Sequence, residues 1–166
     1  MREIAVKVNG VIRRDAIKDN ELLLDFLRDK LEVRSVKAAC WRGECGLCTV
    51  QLNGRLVKSC LVLAVEADSG DVKTVEGLAE KGELAPIQKA FIEHGASQCG
   101  FCTPAWVLAS NDLLKRNPDP TDAEIEEATA GLLCRCGTYA QIKEAIHSVS
   151  KSGSKQPLKQ LVKGVG

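Results

Sequence analysis

Apolar and polar positions alternate from the start of the chain. Ile4, Val6 and Val8 are separated by charged or small residues, which predicts a strand with one buried face. Asn9-Gly10 then predicts a tight hairpin turn, with Val11 to Ile17 as the return strand. Asn20 suits the N-cap of a short helix whose apolar face is Leu23, Leu24, Leu27 and Leu31. A second hairpin follows, T-V-Q-L turning at Asn53-Gly54 into R-L-V-K-S, and Val72 to Val75 reads as a last strand. Strands with one crossing helix predict a small α+β sheet.

The period then changes. Pro86 suits a first helical position, with Ile87, Ala90, Phe91 and His94 on one face and Gly95 at the end. Thr103 reads as an N-cap with Pro104 at the first helical position, and Pro118 and Pro120 stop that helix near Asn117. Thr121 to Glu124 and Thr138 to Gln141 both have the spacing of capping boxes. The first opens a helix ending near Gly131. The second opens one with Tyr139, Ile142, Ile146 and Val149 at helical spacing. Four short helices imply a bundle. The boundary between the halves falls between Gly70 and Ala85, giving units over 1–77 and 78–150 and a tail over 151–166 rich in Lys, Ser and Gly. Units this small bury a modest fraction of their surface, and internal metal ligation would help hold them.

Composition narrows the function. A net charge of +1 gives no field to attract nucleic acid or an anionic membrane, and aromatics at 4% are too few for base-stacking platforms. No apolar run is long enough to span a bilayer, and the alternating N-terminus is not a signal peptide. A cytoplasmic location is the expectation. In that reducing compartment the eight cysteines are metal ligands in preference to disulfides. There is no nucleophile–base pair, no G-x-G-x-x-G and no P-loop. Nothing in the chain would bind flavin or perform substrate chemistry, so no catalytic residue is expected.

Cys40, Cys45 and Cys48 stand in C-x4-C-x2-C spacing with Cys60 further on, the plant-type [2Fe–2S] pattern. Iron prefers soft thiolates, and Gly43 and Gly46 permit the tight loop that brings backbone N–H groups to the sulfurs. Structural zinc usually takes two C-x2-C knuckles, and this set has one. Trp41 suits either a cover over the cluster or a partner contact. The second set is Cys99 and Cys102 in C-x2-C and Cys134 and Cys136 in C-x-C. Residues two apart on a helix point to opposite sides, so C-x-C chelates only where the helix breaks, and Gly131 and Gly137 flank it. Spacing alone leaves this set open between zinc and [2Fe–2S]. Helix N-termini facing the set would suit anionic thiolates. His94 and His147 lie near helix ends, where a histidine interacts favourably with the dipole.

Q-C-G-F-C-T-P at Gln98 to Pro104 and L-C-R-C-G-T-Y at Leu133 to Tyr139 resemble the second-cluster motifs of the xanthine oxidase (molybdenum hydroxylase) family. G-E-C-G-L-C-T-V resembles its plant-type loop, and the likeness covers about residues 3 to 150. Ala105 stands where the family often has Gly, Leu132 where Asn is common, and G-T-Y replaces T-G-Y; no ligand is lost. The resemblance implies a small iron–sulfur subunit: an N-terminal β-grasp plant-type ferredoxin domain, then an all-α four-helix-bundle domain. It implies [2Fe–2S] at the second set too. It further implies a large molybdopterin-binding partner and an FAD-binding medium subunit, with Gln98 and Cys136 nearest the pterin. A diffusible ferredoxin would need strong charge asymmetry, which net +1 disfavours. A zinc-stapled structural module is the other alternative.

Overall fold

The computed structural model describes residues 1–151, and the tail expected over 151–166 lies, beyond Lys151, outside the described residues. Strands β1 (Arg2–Val8) and β2 (Val11–Ile17) form the expected hairpin, with Val8 opposite Val11. Asn9 and Gly10 take positive φ, 49° and 88°, as a two-residue turn matching strand twist requires. Strands β3 (Thr49–Leu52) and β4 (Arg55–Lys58) repeat the device at Asn53 and Gly54. Strand β5 (Asp71–Lys73) lies between the hairpins, parallel to β1 and antiparallel to β3, so the sheet order is β2-β1-β5-β3-β4. It is shorter than the pattern suggested. At Thr74 the backbone N–H turns to Asn9 Oδ1 (2.9 Å), and Asn9 Nδ2 donates to the Thr74 hydroxyl (2.9 Å).

Helix α1 (Leu23–Asp25) runs on as a π-helical turn over Phe26–Lys30. Its N-cap is Leu22 and not Asn20. Leu22 is held extended by a bridge to Leu63, flanked by Leu23 N–H to Val62 O (2.8 Å) and Ala64 N–H to Glu21 O (2.8 Å), so the helix cannot begin earlier. The wider turn lets Phe26 join Leu23, Leu24 and Leu27 in the core under the sheet with Ile4, Val6, Ile17, Val50 and Val72.

Four helices follow: α2 (Pro86–Glu93), α3 (Thr103–Arg116), α4 (Asp122–Thr129) and α5 (Tyr139–Ser148). Their core is Ile87, Phe91, Trp106, Leu108, Ile125, Ile142 and Ile146. The Thr121–Glu124 capping box forms as expected. The other two caps differ. Cys102, not Thr103, is the N-cap of α3; the Thr103 hydroxyl bonds Ser97 Oγ (2.8 Å). Thr138 is the N-cap of α5 by position, but its hydroxyl does not cap. His94 is the half-buried C-cap of α2. His147, in the last turn of α5, also meets the first turn of α4, Nε2 to Asp122 Oδ1 at 2.6 Å.

The architecture is α+β, a mixed sheet followed by helices, and the halves pack together. Leu47 from the first half is buried in the helical core, with Cys45 and Leu56 against it. Gln51 Nε2 donates to Asp112 Oδ1 on α3 (2.9 Å). No described helix is long and apolar enough to cross a membrane.

Candidate metal centres

The loop between the π-helical turn and β3 carries Cys40, Cys45 and Cys48. Trp41, Gly43 and Gly46 take φ of 57°, 74° and 71°, coiling the loop so that its amides point inward. The N–H groups of Arg42 and Cys45 reach Cys40 Sγ at 3.5 and 3.4 Å. The Cys45 and Arg42 amides lower the Cys40 thiol to about 6, a built-in preference for thiolate. Cys60 arrives on a 3-10 turn after β4 and is buried. The Ser59 N–H (3.2 Å) and hydroxyl (2.8 Å) both donate to the Cys48 carbonyl, fixing Cys60 beside Cys48. Burial pushes the Cys60 thiol up to about 11, with the Cys48 thiol bonded to it adding to the rise. Trp41 is half exposed (49%), which suits a contact better than a cover.

Cys99 and Cys102 lie on the loop into α3, with Gly100 at φ 79°; Cys134 and Cys136 lie on the loop into α5, with Gly137 at φ 81°. Both helices therefore start beside the cysteines. Cys102 and Cys134 are buried, Cys99 and Cys136 exposed. The Thr138 hydroxyl lies 3.1 Å from Cys134 Sγ, which is why it does not cap α5. The Cys134 N–H donates to the Tyr139 hydroxyl (2.9 Å), and the Tyr139 ring stands edge-on to buried Trp106, centroids 5.7 Å apart. Burial raises the Cys134 thiol, but bonds from Thr138 outweigh it and bring it down to about 7. Burial carries Cys102 up to about 12, and the Phe101 amide lowers Cys99.

All eight thiols are free. Within each set the thiols act on one another: Cys48 and Cys40 both raise Cys60, and Cys134 and Cys99 both raise Cys102. Among the described residues no three His, Cys, Asp or Glu side chains converge as the shell of one metal ion. Four thiolates in each set suit two irons, each taking two. The residues fit [2Fe–2S] at both sets.

The two loops also touch. The Leu133 N–H donates to the Cys45 carbonyl (3.0 Å), and Gly46 lies against Gly131. Gly131 lacks the positive φ of a helix breaker; α4 has already ended at Thr129, and a Cβ on Gly131 would press on the end of the Lys58 side chain. Sequence reasoning missed Thr138 and Lys58 at these loops. Thr138 had a visible signal, four residues from Cys134; Lys58 had none.

This fold and these loops define a carrier with two iron–sulfur centres. Residues 6–79 match the 2Fe-2S iron-sulfur cluster binding domain, and residues 74–147 the [2Fe-2S] binding domain. The small FeS subunit of nicotinate dehydrogenase from Eubacterium barkeri is 46% identical over 143 residues, 86% of this chain and 91% of the relative. The small subunit of nicotine 6-hydroxylase from Paenarthrobacter nicotinovorans is 44% identical over 144 residues, 87% of each chain. Quinoline 2-oxidoreductase from Pseudomonas putida 86 superposes with a TM-score of 0.86 and 35% identity, covering 92% of this chain and 93% of that one. The aldehyde oxidoreductase of Desulfovibrio desulfuricans gives 0.83 and 38%, and there the likeness spans 88% of this chain but 16% of that one. The chain belongs to the family of small iron–sulfur subunits of the molybdenum hydroxylases.

Proposed function

We propose that the chain relays single electrons between a molybdopterin centre and a flavin or other acceptor on partner subunits. Cys40, Cys45, Cys48 and Cys60 hold one [2Fe–2S] cluster; Cys99, Cys102, Cys134 and Cys136 hold the other. The clusters supply the one-electron chemistry. The chain's residues hold them, bury them and aim hydrogen bonds at their sulfurs, which sets their potentials. The observation that carries this reading is that the eight free thiols fall four and four in the stretches 6–79 and 74–147, each of which matches a [2Fe-2S] binding domain.

The sheet half, 1–77, is read as a β-grasp ferredoxin domain and the helical half, 78–150, as a four-helix-bundle domain; the family matches meet at 74–79, which supports that division. Gln98 and Cys136 are both exposed, as groups meeting a pterin across an interface must be. A large molybdopterin-binding subunit is the partner at that face, and an FAD-binding medium subunit lies beyond the first cluster. The relatives named above act on different substrates, and this chain offers no substrate chemistry, so the substrate is set by the large partner. Free cysteines suit a cytoplasmic complex.

The test is metal content and spectroscopy of the complex. About four irons and four sulfides per chain are expected. Reduced samples should show two distinct electron paramagnetic resonance signals. Cys60→Ser should remove one and Cys134→Ser the other. Stoichiometric zinc with no visible absorption would sink the reading.

A further inference from the structure

Lys58 closes β4, two residues before Cys60. It is half-buried, and its ammonium points between the two cysteine loops. Nζ donates to the Gly43 carbonyl, inside the Cys40–Cys48 loop. A Cβ on Gly131 would lie 3.3 Å from the same Nζ, so the ammonium also rests against the segment leading to Cys134. Among the described residues Lys58 takes part in no ion pair, and the carboxylate next to Gly43, Glu44, is turned to Arg42 at 3.5 Å. A half-buried cation with one carbonyl for company is costly unless negative charge lies nearby.

The loops supply that charge once loaded. Four thiolates, two sulfides and two ferric ions leave a dianion, and one added electron makes a trianion. We propose that Lys58 is the counter-charge of these loops: its ammonium favours the reduced form and raises the midpoint potential of the Cys40–Cys45–Cys48–Cys60 cluster. The effect on the second cluster is smaller, because Lys58 is bonded into the first loop and only abuts the approach to Cys134. A lysine serving only as a brace would act through its hydrogen bond to Gly43, and a neutral donor could replace it.

The proposal rests on the two-cluster reading, and wild-type protein lacking two signals would sink that reading first. The experiment is a redox titration of the assembled complex, followed by electron paramagnetic resonance, with Lys58→Met, Lys58→Gln and Lys58→Arg. Lys58→Met should shift the first midpoint downward, by more than the second. Lys58→Gln keeps a donor for Gly43 but no charge, and should shift it likewise. Lys58→Arg should stay near wild type. If Lys58→Met fails to build the first cluster, Lys58→Gln decides by its midpoint. Loss of the first signal in both neutral variants but not in Lys58→Arg also supports the counter-charge. A wild-type midpoint in Lys58→Gln overturns the proposal, as does loss of the signal in all three variants.

Discussion

Gly46 and Gly131 meet so closely that a Cβ on Gly46 would lie 2.1 Å from the Gly131 carbonyl oxygen. The contact joins the loop of Cys40, Cys45 and Cys48 to the segment leading to Cys134 and Cys136. It is backbone against backbone, so neither side can swing away as a side chain would. Gly46 also has φ of 71°, where an L-residue is strained. Gly46→Ala therefore has to part the loops. We expect the Leu133 N–H to Cys45 O bond to break and folded stability to fall by about 1–3 kcal/mol. The first cluster should be lost or made labile, measured as iron retained through purification. Gly54→Ala, at φ 79° but with open space around it, is the control: strain without collision, and both clusters kept.

Thr138 offers a finer test. Its hydroxyl lies 3.1 Å from buried Cys134 Sγ and is itself 2% exposed. Once the sulfur is a ligand it has no proton to give, and the hydroxyl donates to it. Such a bond stabilises negative charge on the sulfur and so favours the reduced cluster. Thr138→Val keeps the shape and removes the donor. It should lower the midpoint potential of the second cluster and leave the first unchanged. Equal midpoints in mutant and wild type would mean that Thr138 does not tune the cluster.

Both hairpins were legible in the sequence because Asn-Gly turns act locally: the positive φ that they need is met by the two residues themselves. The C-x4-C-x2-C, C-x2-C and C-x-C spacings were visible for the same reason, since spacing is local too, but spacing alone did not say what the second set holds. What remained hidden depends on distant segments. Asn20 looked like a cap, but pairing of Leu22 with Leu63 decides where α1 starts. Thr138 has capping-box spacing, but a sulfur four residues earlier takes its hydroxyl. Gly131 looked like a helix breaker, but α4 has already ended at Thr129, and what a side chain there would meet is Lys58, remote in sequence.

The junction of α4 and α5 gives a pH prediction. The hydrogen bond from His147, with Lys143 close by, holds the Asp122 carboxyl below its ordinary value of 3.8. A depressed carboxylate pKa contributes stability that is complete above the unfolded value and is lost only as pH falls through the folded one. Moving from about pH 7 to about pH 5 should therefore leave the carboxylate's own contribution intact. Asp122→Asn should quicken amide hydrogen exchange in α4 and α5 across that whole range, modestly, since the pair is at the surface. A difference between mutant and wild type that vanished between those two pH values would contradict the assignment.

The electron entry point is tested at Gln98. It is exposed beside Cys99, on the face where Cys136 is also exposed, and no described hydrogen bond ties its amide down. An amide free to donate and accept can meet a pterin edge, while the exposed Cys136 sulfur can accept from a pterin N–H. Gln98→Ala removes no ligand, so both clusters should build and dithionite should reduce them as in wild type. Reduction by substrate should slow for both clusters together, because both lie downstream of the same junction. The loss should be modest, since one hydrogen bond is worth about 0.5–1.5 kcal/mol net. Rapid-mixing spectroscopy of the assembled complex measures it. Slowing with dithionite as well would point to damage at Cys99, next along the chain. A wild-type rate with substrate would place the entry elsewhere, and the exposed Phe101 and Leu133 beside the same cysteines would be the next positions to change.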